Sequence, residues 1–162
     1  MDSVSNQRLS FVCPSLSSKI GQMSEVLAPD NPPVYFRVTE GLRTWAEQAQ
    51  LWAQGRTAPG TIVTDAAPGY SWHNFGCAVD LVPMIDLGPD WNITHPVWQR
   101  MMAVGDSLGL VHVDIKTRLG AHRDYPHFQM TGTWPTVPDE QVRTVFTDKG
   151  MQELWREGGL IP

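Results

Sequence analysis

Two short segments far apart in the chain carry metal-binding side chains at tight spacing. They are Ser71-Trp72-His73-Asn74-Phe75-Gly76-Cys77-Ala78-Val79-Asp80 and Asp124-Tyr125-Pro126-His127-Phe128. The first supplies a His and, seven residues on, an Asp; the second supplies a His with an Asp three residues before it. The two imidazoles of His73 and His127 and the carboxylate of Asp80 make a three-ligand zinc site with one position left open. That is the arrangement of a catalytic rather than a structural zinc. Asp124 is then left to act as a general base on an activated water. Taken singly, each residue has a plainer reading: a loop His, a capping Asp, a turn carboxylate paired with Arg123 or His122. The argument rests on their combination.

These side chains need elements to place them. A spacing of seven would align His73 and Asp80 on a helix. Gly76 and the run Val79-Asp80-Leu81-Val82-Pro83 oppose one. A loop leading into a strand is expected, with a turn at Phe75-Gly76 that lets His73 fold back toward Asp80. Pro126 stiffens the backbone between Asp124 and His127. His127 enters a strand with Phe128 on the opposite face.

The remaining chain reads as a scaffold for this site. Residues 1–10 are polar and are expected to form a loose tail. Leu16, Ile20, Met23 and Leu27 make one apolar stripe, so residues 15–28 read as a helix broken by Pro29–Pro33. Residues 34–39 read as a strand. Thr44 and Glu47 form a capping-box pattern that opens a helix closed by Gly55. Residues 55–72 read as an exposed loop, 78–82 as a strand ended by Pro83, and 84–95 as an inserted loop. Pro96 opens a helix to about Leu108, with Gly109 as its stop. Short strands are expected at 110–113 and 125–130, and helices at 139–146 and 148–157. The fold class is α+β: a small, mainly antiparallel sheet carrying the site, flanked by helices, in a single domain over 1–162.

At 162 residues the chain is long enough for one domain with a proper core. Its 41% hydrophobic and 18% charged residues are those of a globular protein. With 12 basic against 17 acidic residues and no basic run, nucleic acid is excluded as a partner. No apolar run approaches the ~20 residues needed to span a bilayer, so no stable membrane association is expected. The N-terminus lacks a basic region followed by an apolar core. The expectation is therefore no signal peptide and a protein that stays cytoplasmic until it is released. Two cysteines, Cys13 and Cys77, are too few to define a disulfide framework, and their pairing is left open. Cys77 reads as a small buried residue rather than a ligand. Some of the seven Trp are expected to line a substrate groove, with Trp98 and Trp155 as core or rim anchors.

The pattern S-x-H-x-x-G-x-A-x-D followed by D-x-P-H-F resembles the zinc D-alanyl-D-alanine carboxypeptidase family. That family includes L-alanyl-D-glutamate peptidases and, more distantly, the hedgehog signalling domain. The bacteriophage endolysin branch is the most similar, through Val38-Thr39-Glu40-Gly41-Leu42-Arg43-Thr44, Glu47-Gln48 and Gln54-Gly55-Arg56-Thr57. The resemblance covers roughly residues 10 to 130. It implies Zn2+ held by His73, Asp80 and His127, with Asp124 as base. It also implies that Arg43 binds a substrate carboxylate or the developing oxyanion. Ser71 and, more weakly, Gln50 are implied as substrate-binding residues, while Arg56 shapes the loop. The implied substrate is a bacterial peptidoglycan stem peptide cut at L-Ala–D-Glu by a monomeric metallopeptidase. The alternatives are a D-Ala-D-Ala carboxypeptidase and a zinc-binding homologue without activity. His95 and His112 read as structural, and His122 as a residue able to tune Asp124 or touch substrate.

Overall fold

The computed structural model describes residues 1–86, 88–117 and 120–161, with the backbone alone at 115–117 and 120–122. Its centre is β2 (Ala78–Ile85), which pairs antiparallel with β1 (Tyr35–Glu40) along one side. On the other side it pairs with β6 (His127–Gln129) near its start and β3 (Gly88–Pro89) near its end. The registers Val79↔Phe128 and Asp80↔His127 put the two chemical motifs on adjacent strands. β4 (Asp114–Thr117) and β5 (Gly120–Arg123) form a separate antiparallel pair. The architecture is α+β with a small antiparallel sheet, as the residue pattern implied.

Helices pack against this sheet through the stripes that their spacing predicts. In α2 (Pro14–Leu27), Leu16, Ile20, Met23 and Leu27 are fully buried, and Pro14 opens the helix where no N–H is needed. α4 (Pro96–Ser107) buries Trp98, Met101 and Val104, and Gly109 follows it at φ +78°. The α2 stripe, Met101 and Val104 form one core with Val38 of β1, Val79 and Leu81 of β2, and Phe128 of β6. Truncating one of them, for example Leu16→Ala, would cost about 2–5 kcal/mol. α5 (Glu140–Lys149), capped by Asp139, and α6 (Met151–Glu157) add Val142 and Leu154 to the core. Among the described residues, no helix is long and apolar enough to cross a membrane.

The expectations fail in four places. Residues 1–10 are not a loose tail, because Ser3–Leu9 forms α1. Asp2 caps it, accepting from Ser5 N at 2.8 Å, and pairs with Arg37 at 2.6 Å. β1 is an edge strand, and α1 supplies what that edge lacks. Val38 N donates to Ser5 Oγ, and Arg8 Nη1 donates to Val38 O at 2.6 Å. β2 also runs through Pro83 instead of ending there. Leu81 N donates away from β1, to Pro126 O, and Pro83 faces that same side two residues on. Its missing N–H therefore removes no bond to β1, while its carbonyl accepts from Asp90 N at 2.9 Å. Third, the segment 84–95 is not all loop, since Gly88–Pro89 folds back as β3. Finally, residues 110–113 make only a bridge, Val111 with Gln129, and the strand lies further on, at β4.

Candidate metal centre and active-site cavity

His73 sits in a 3-10 turn, Trp72–Phe75, between the loop and β2. Ser71 caps the turn, its hydroxyl accepting from His73 N at 3.4 Å. Gly76 ends it in the left-handed region at φ +61°, where a Cβ would also meet Phe11 O and Trp155 at 3.0 Å. Only glycine fits both demands. This is the turn anticipated at Phe75-Gly76, and it folds His73 back onto Asp80.

The second motif is locked by main-chain bonds. His127 N donates to Asp124 O at 3.2 Å, closing a turn through Tyr125-Pro126. Pro126 O accepts from Leu81 N at 2.8 Å, which ties the turn beside Asp80. Asp124 N donates to Val113 O at 3.1 Å.

His73, Asp80 and His127 therefore converge. His73 Nε2 lies 3.2 Å from His127 Nδ1. The two nitrogens are 3.3 and 3.4 Å from Asp80 Oδ1. What lies behind each ring fixes its tautomer. His73 Nδ1–H donates to Gly41 O at 2.8 Å. Gln129 Nε2 donates to Thr136 O at 2.8 Å, so its Oε1 faces His127 Nε2–H at 2.9 Å. Both inner nitrogens are left as lone pairs pointing at one carboxylate oxygen. Tetrahedral zinc with bonds of roughly 2.0–2.1 Å has ligand–ligand edges of about 3.3 Å, so the donor set fits that ion.

The electrostatics agree with the geometry. Burial alone would raise the Asp80 carboxyl. When the rings also carry protons on their inner nitrogens, the charge of His73 and hydrogen bonds from His127 and His73 outweigh it and hold Asp80 well below the usual carboxylate range. Burial would lower the His127 imidazole, yet Asp80's hydrogen bond and charge, with help from Gln129, raise it above the ordinary value. The cluster thus favours positive charge, which a divalent cation supplies.

The three residues line a cavity of about 700 Å³ that also holds Asp124, Arg43, Ser71 and Glu40. Its walls include Trp52, Val63, Tyr70, Trp72 and Val137, so two of the seven Trp line this cavity. Trp98 is fully buried, and Trp155 is a rim anchor donating to Phe75 O at 2.7 Å. Arg43 is nearly buried, with Nη2 at 3.6 Å from Glu40 and 3.7 Å from Asp80.

Other expected residues fall elsewhere. Gln50 is corrected: it is exposed on α3 (Trp45–Ala53) and is not among the cavity-lining residues. Two residues along a helix turn the side chain about 200°, and Gln48 takes the inner face instead. Arg56 shapes the loop, bonding Trp52 O and Thr64 O and stacking 3.5 Å over Trp52. The His112 side chain is covered behind the site, Nδ1 at 3.1 Å from His127 O, and His95 pairs with Asp90. The side chain of His122 lies outside the described residues. Cys13 and Cys77 are free, buried thiols, and Cys77 donates to Phe75 O rather than joining the ligands. Gln129 is a residue the sequence analysis missed, although it lies two residues after His127 on one face of β6, where the period-two rule puts it in reach.

Residues 14–111, more than half of the chain, match the family model for VanY: D-alanyl-D-alanine carboxypeptidase. The chain belongs to the VanY family. The match ends before Asp124 and His127, which β6 brings to the family segment by pairing with β2. The chain is 37% identical over 112 residues to the peptidoglycan L-alanyl-D-glutamate endopeptidase CwlK of Bacillus subtilis (strain 168). That alignment spans 64% of this chain and 65% of CwlK, just under two thirds of that protein. The fold is also that of the Serratia marcescens L-Ala D-Glu endopeptidase ChiX, with a TM-score of 0.56 at 24% identity, covering 81% of this chain and 89% of that one.

Proposed function

We propose that this VanY-family chain is a zinc peptidase that hydrolyses the stem peptide of bacterial peptidoglycan, with L-Ala–D-Glu as the preferred bond. The observation that carries the reading is the convergence of three inward-facing donor atoms in the cavity that holds Asp124 and Arg43. The likeness to CwlK supports the choice of bond. Zinc held by His73, Asp80 and His127 would supply a Lewis acid and make water a nucleophile near neutral pH. The protein's own groups do the rest. The Asp124 carboxylate accepts a proton from the attacking water and returns it to the leaving amine nitrogen as the C–N bond breaks. Arg43 offers fixed positive charge to the oxygen that becomes negative. Ser71 lends its hydroxyl proton to a substrate carbonyl while its oxygen caps the 3-10 turn. The products are a carboxylate and an amine, and the glycan strand stays intact. In this reading the enzyme is harmless inside the cell and acts once it reaches the wall, as an endolysin does.

The family assignment favours a second reading, release of terminal D-Ala by carboxypeptidase action. Digestion of purified walls followed by mass spectrometry separates the two. New N-terminal D-Glu is expected, and free D-Ala alone would overturn the preferred bond. New reducing sugar ends would reject peptidase action altogether, since a glycosidase needs a carboxylate pair across the bond. An intact wall after incubation with the zinc-loaded protein would leave only the inactive zinc-binding homologue.

A further inference from the structure

Gln48 has no role in the reaction just described, yet no part of its side chain is exposed. It lies on α3 four residues after the N-cap, and both halves of a capping box fix the helix phase. Thr44 Oγ1 accepts from Glu47 N at 3.2 Å, and Glu47 Oε2 accepts from Thr44 N at 2.8 Å. The Gln48 amide is spent wholly outside its own helix. Nε2 donates to Ala66 O at 2.8 Å and to Thr64 Oγ1 at 3.3 Å, and both residues line the cavity. A carbonyl cannot donate, so Nε2 must face Ala66 and Oε1 must face the other way. There it accepts from Arg43 Nη1 at 2.9 Å.

Among the described residues this is the one hydrogen bond shown for the Arg43 guanidinium. Nε is buried without a partner, and Nη2 stands 3.6 and 3.7 Å from the carboxylates of Glu40 and Asp80, beyond bonding distance. Two nearby negative charges pull the guanidinium toward a direct, bidentate pair. A pair with Asp80 would occupy a carboxylate that faces both histidines.

We propose that Gln48 is the positioning residue for Arg43. It tethers one arm of the guanidinium to the 64–66 wall and so keeps Nη2 turned to the substrate oxygen instead of onto Asp80. This rests on the role given to Arg43 above.

A double-mutant cycle tests it on the zinc-loaded protein with a stem-peptide substrate. Gln48→Leu should lower kcat about 10- to 100-fold, the usual effect of losing an orienting partner, with KM changed less than about threefold and zinc still bound. In an Arg43→Lys background the same change should cost less than about threefold, because the group it positions is gone. Gln48→Glu keeps an oxygen for Arg43 but loses the donors that tie it to the loop, so it should recover only part of the lost rate. Losses that multiply in the double variant would overturn the proposal, as would a Gln48→Glu variant no better than Gln48→Leu. Either result would make Gln48 a support of the cavity wall alone. If Gln48→Leu does not fold, the Gln48→Glu variant and the nitrogen-15 spectrum decide. The wild type should show resolved, slowly exchanging Arg43 Nη protons that broaden when the Gln48 oxygen is removed by Gln48→Met. Free rotation of that guanidinium in the wild type would reject the tether. The spectrum needs no turnover, so an inactive wild type would count against the proposed function and leave the tether to be judged on its own.

Discussion

Histidine meets carboxylate in two very different ways in this molecule. On the surface, His95 Nδ1 and Asp90 Oδ2 lie 2.5 Å apart, and the other Asp90 oxygen accepts from Asn92 N at 3.0 Å. This pair is closed: each partner spends itself on the other and on its own turn. In the cavity, His73 and His127 stand farther from Asp80, at 3.3 and 3.4 Å. Their outer nitrogens are held from behind by neutral acceptors, Gly41 O and Gln129 Oε1. Closeness therefore does not make a metal site. Lone pairs that converge and are fixed from the far side do.

The largest expected effect breaks the cluster itself. His73→Ala or His127→Ala should release zinc, read as metal per chain after dialysis, and abolish wall hydrolysis. Zinc a thousandfold above its Kd stabilises the fold by about 4 kcal/mol, so chelation should lower the wild-type Tm by roughly 10 °C. The same chelation should leave either variant's Tm unchanged. If His73→Ala kept its zinc, the convergent geometry would not be the metal site.

Asp124→Ala should separate chemistry from binding. It lines the cavity but is not one of the three converging ligands, so zinc and Tm should stay near wild type. The rate should fall by roughly two to four orders of magnitude in a zymogram or a peptide assay. Zinc lost along with the rate would make Asp124 a ligand.

Next comes the support from behind. Gln129→Leu leaves all three ligands in place and removes the acceptor that aims His127. Zinc affinity should weaken about 10- to 100-fold by competition with a chelating dye. An unchanged affinity would mean that the strand pairing alone orients the ring.

What the sequence displayed of this site follows from its physics. That His73, Asp80 and His127 converge, with Asp124 and Arg43 lining the same cavity, was legible because metal chemistry allows few residue types and the motifs hold them at fixed spacing. The stripe of α2 and the Thr44–Glu47 box were legible because both are local patterns. Gln48 and Gln129 were missed although local periodicity points to each. Their value appears only when a partner arrives from elsewhere, Ala66 for one and Thr136 for the other. α1 was missed for the same reason. A polar stretch looks idle until Val38 on an exposed sheet edge needs Ser5 and Arg8. Pro83 misled because the rule against proline in strands depends on which side its nitrogen faces, and only the sheet order settles that.

The smallest effect is expected at the surface pair. Asn92 N–H, with His95 adding its share, holds the Asp90 carboxyl below its ordinary range. A carboxyl lowered on folding stabilises above its unfolded pKa, roughly 3.9, and that contribution fades as pH falls through the lower folded value. The pair should therefore matter a little at neutral pH and not at all in strong acid. His95→Ala should move the Tm at pH 7 by no more than about 2 °C, as exposed ion pairs do. The difference from wild type should vanish on acidification below the folded Asp90 value. Zinc content and wall hydrolysis should not change at any step. A His95→Ala protein that lost zinc or activity would erase the distinction between the two kinds of pair, because the closer one would then also be serving the site.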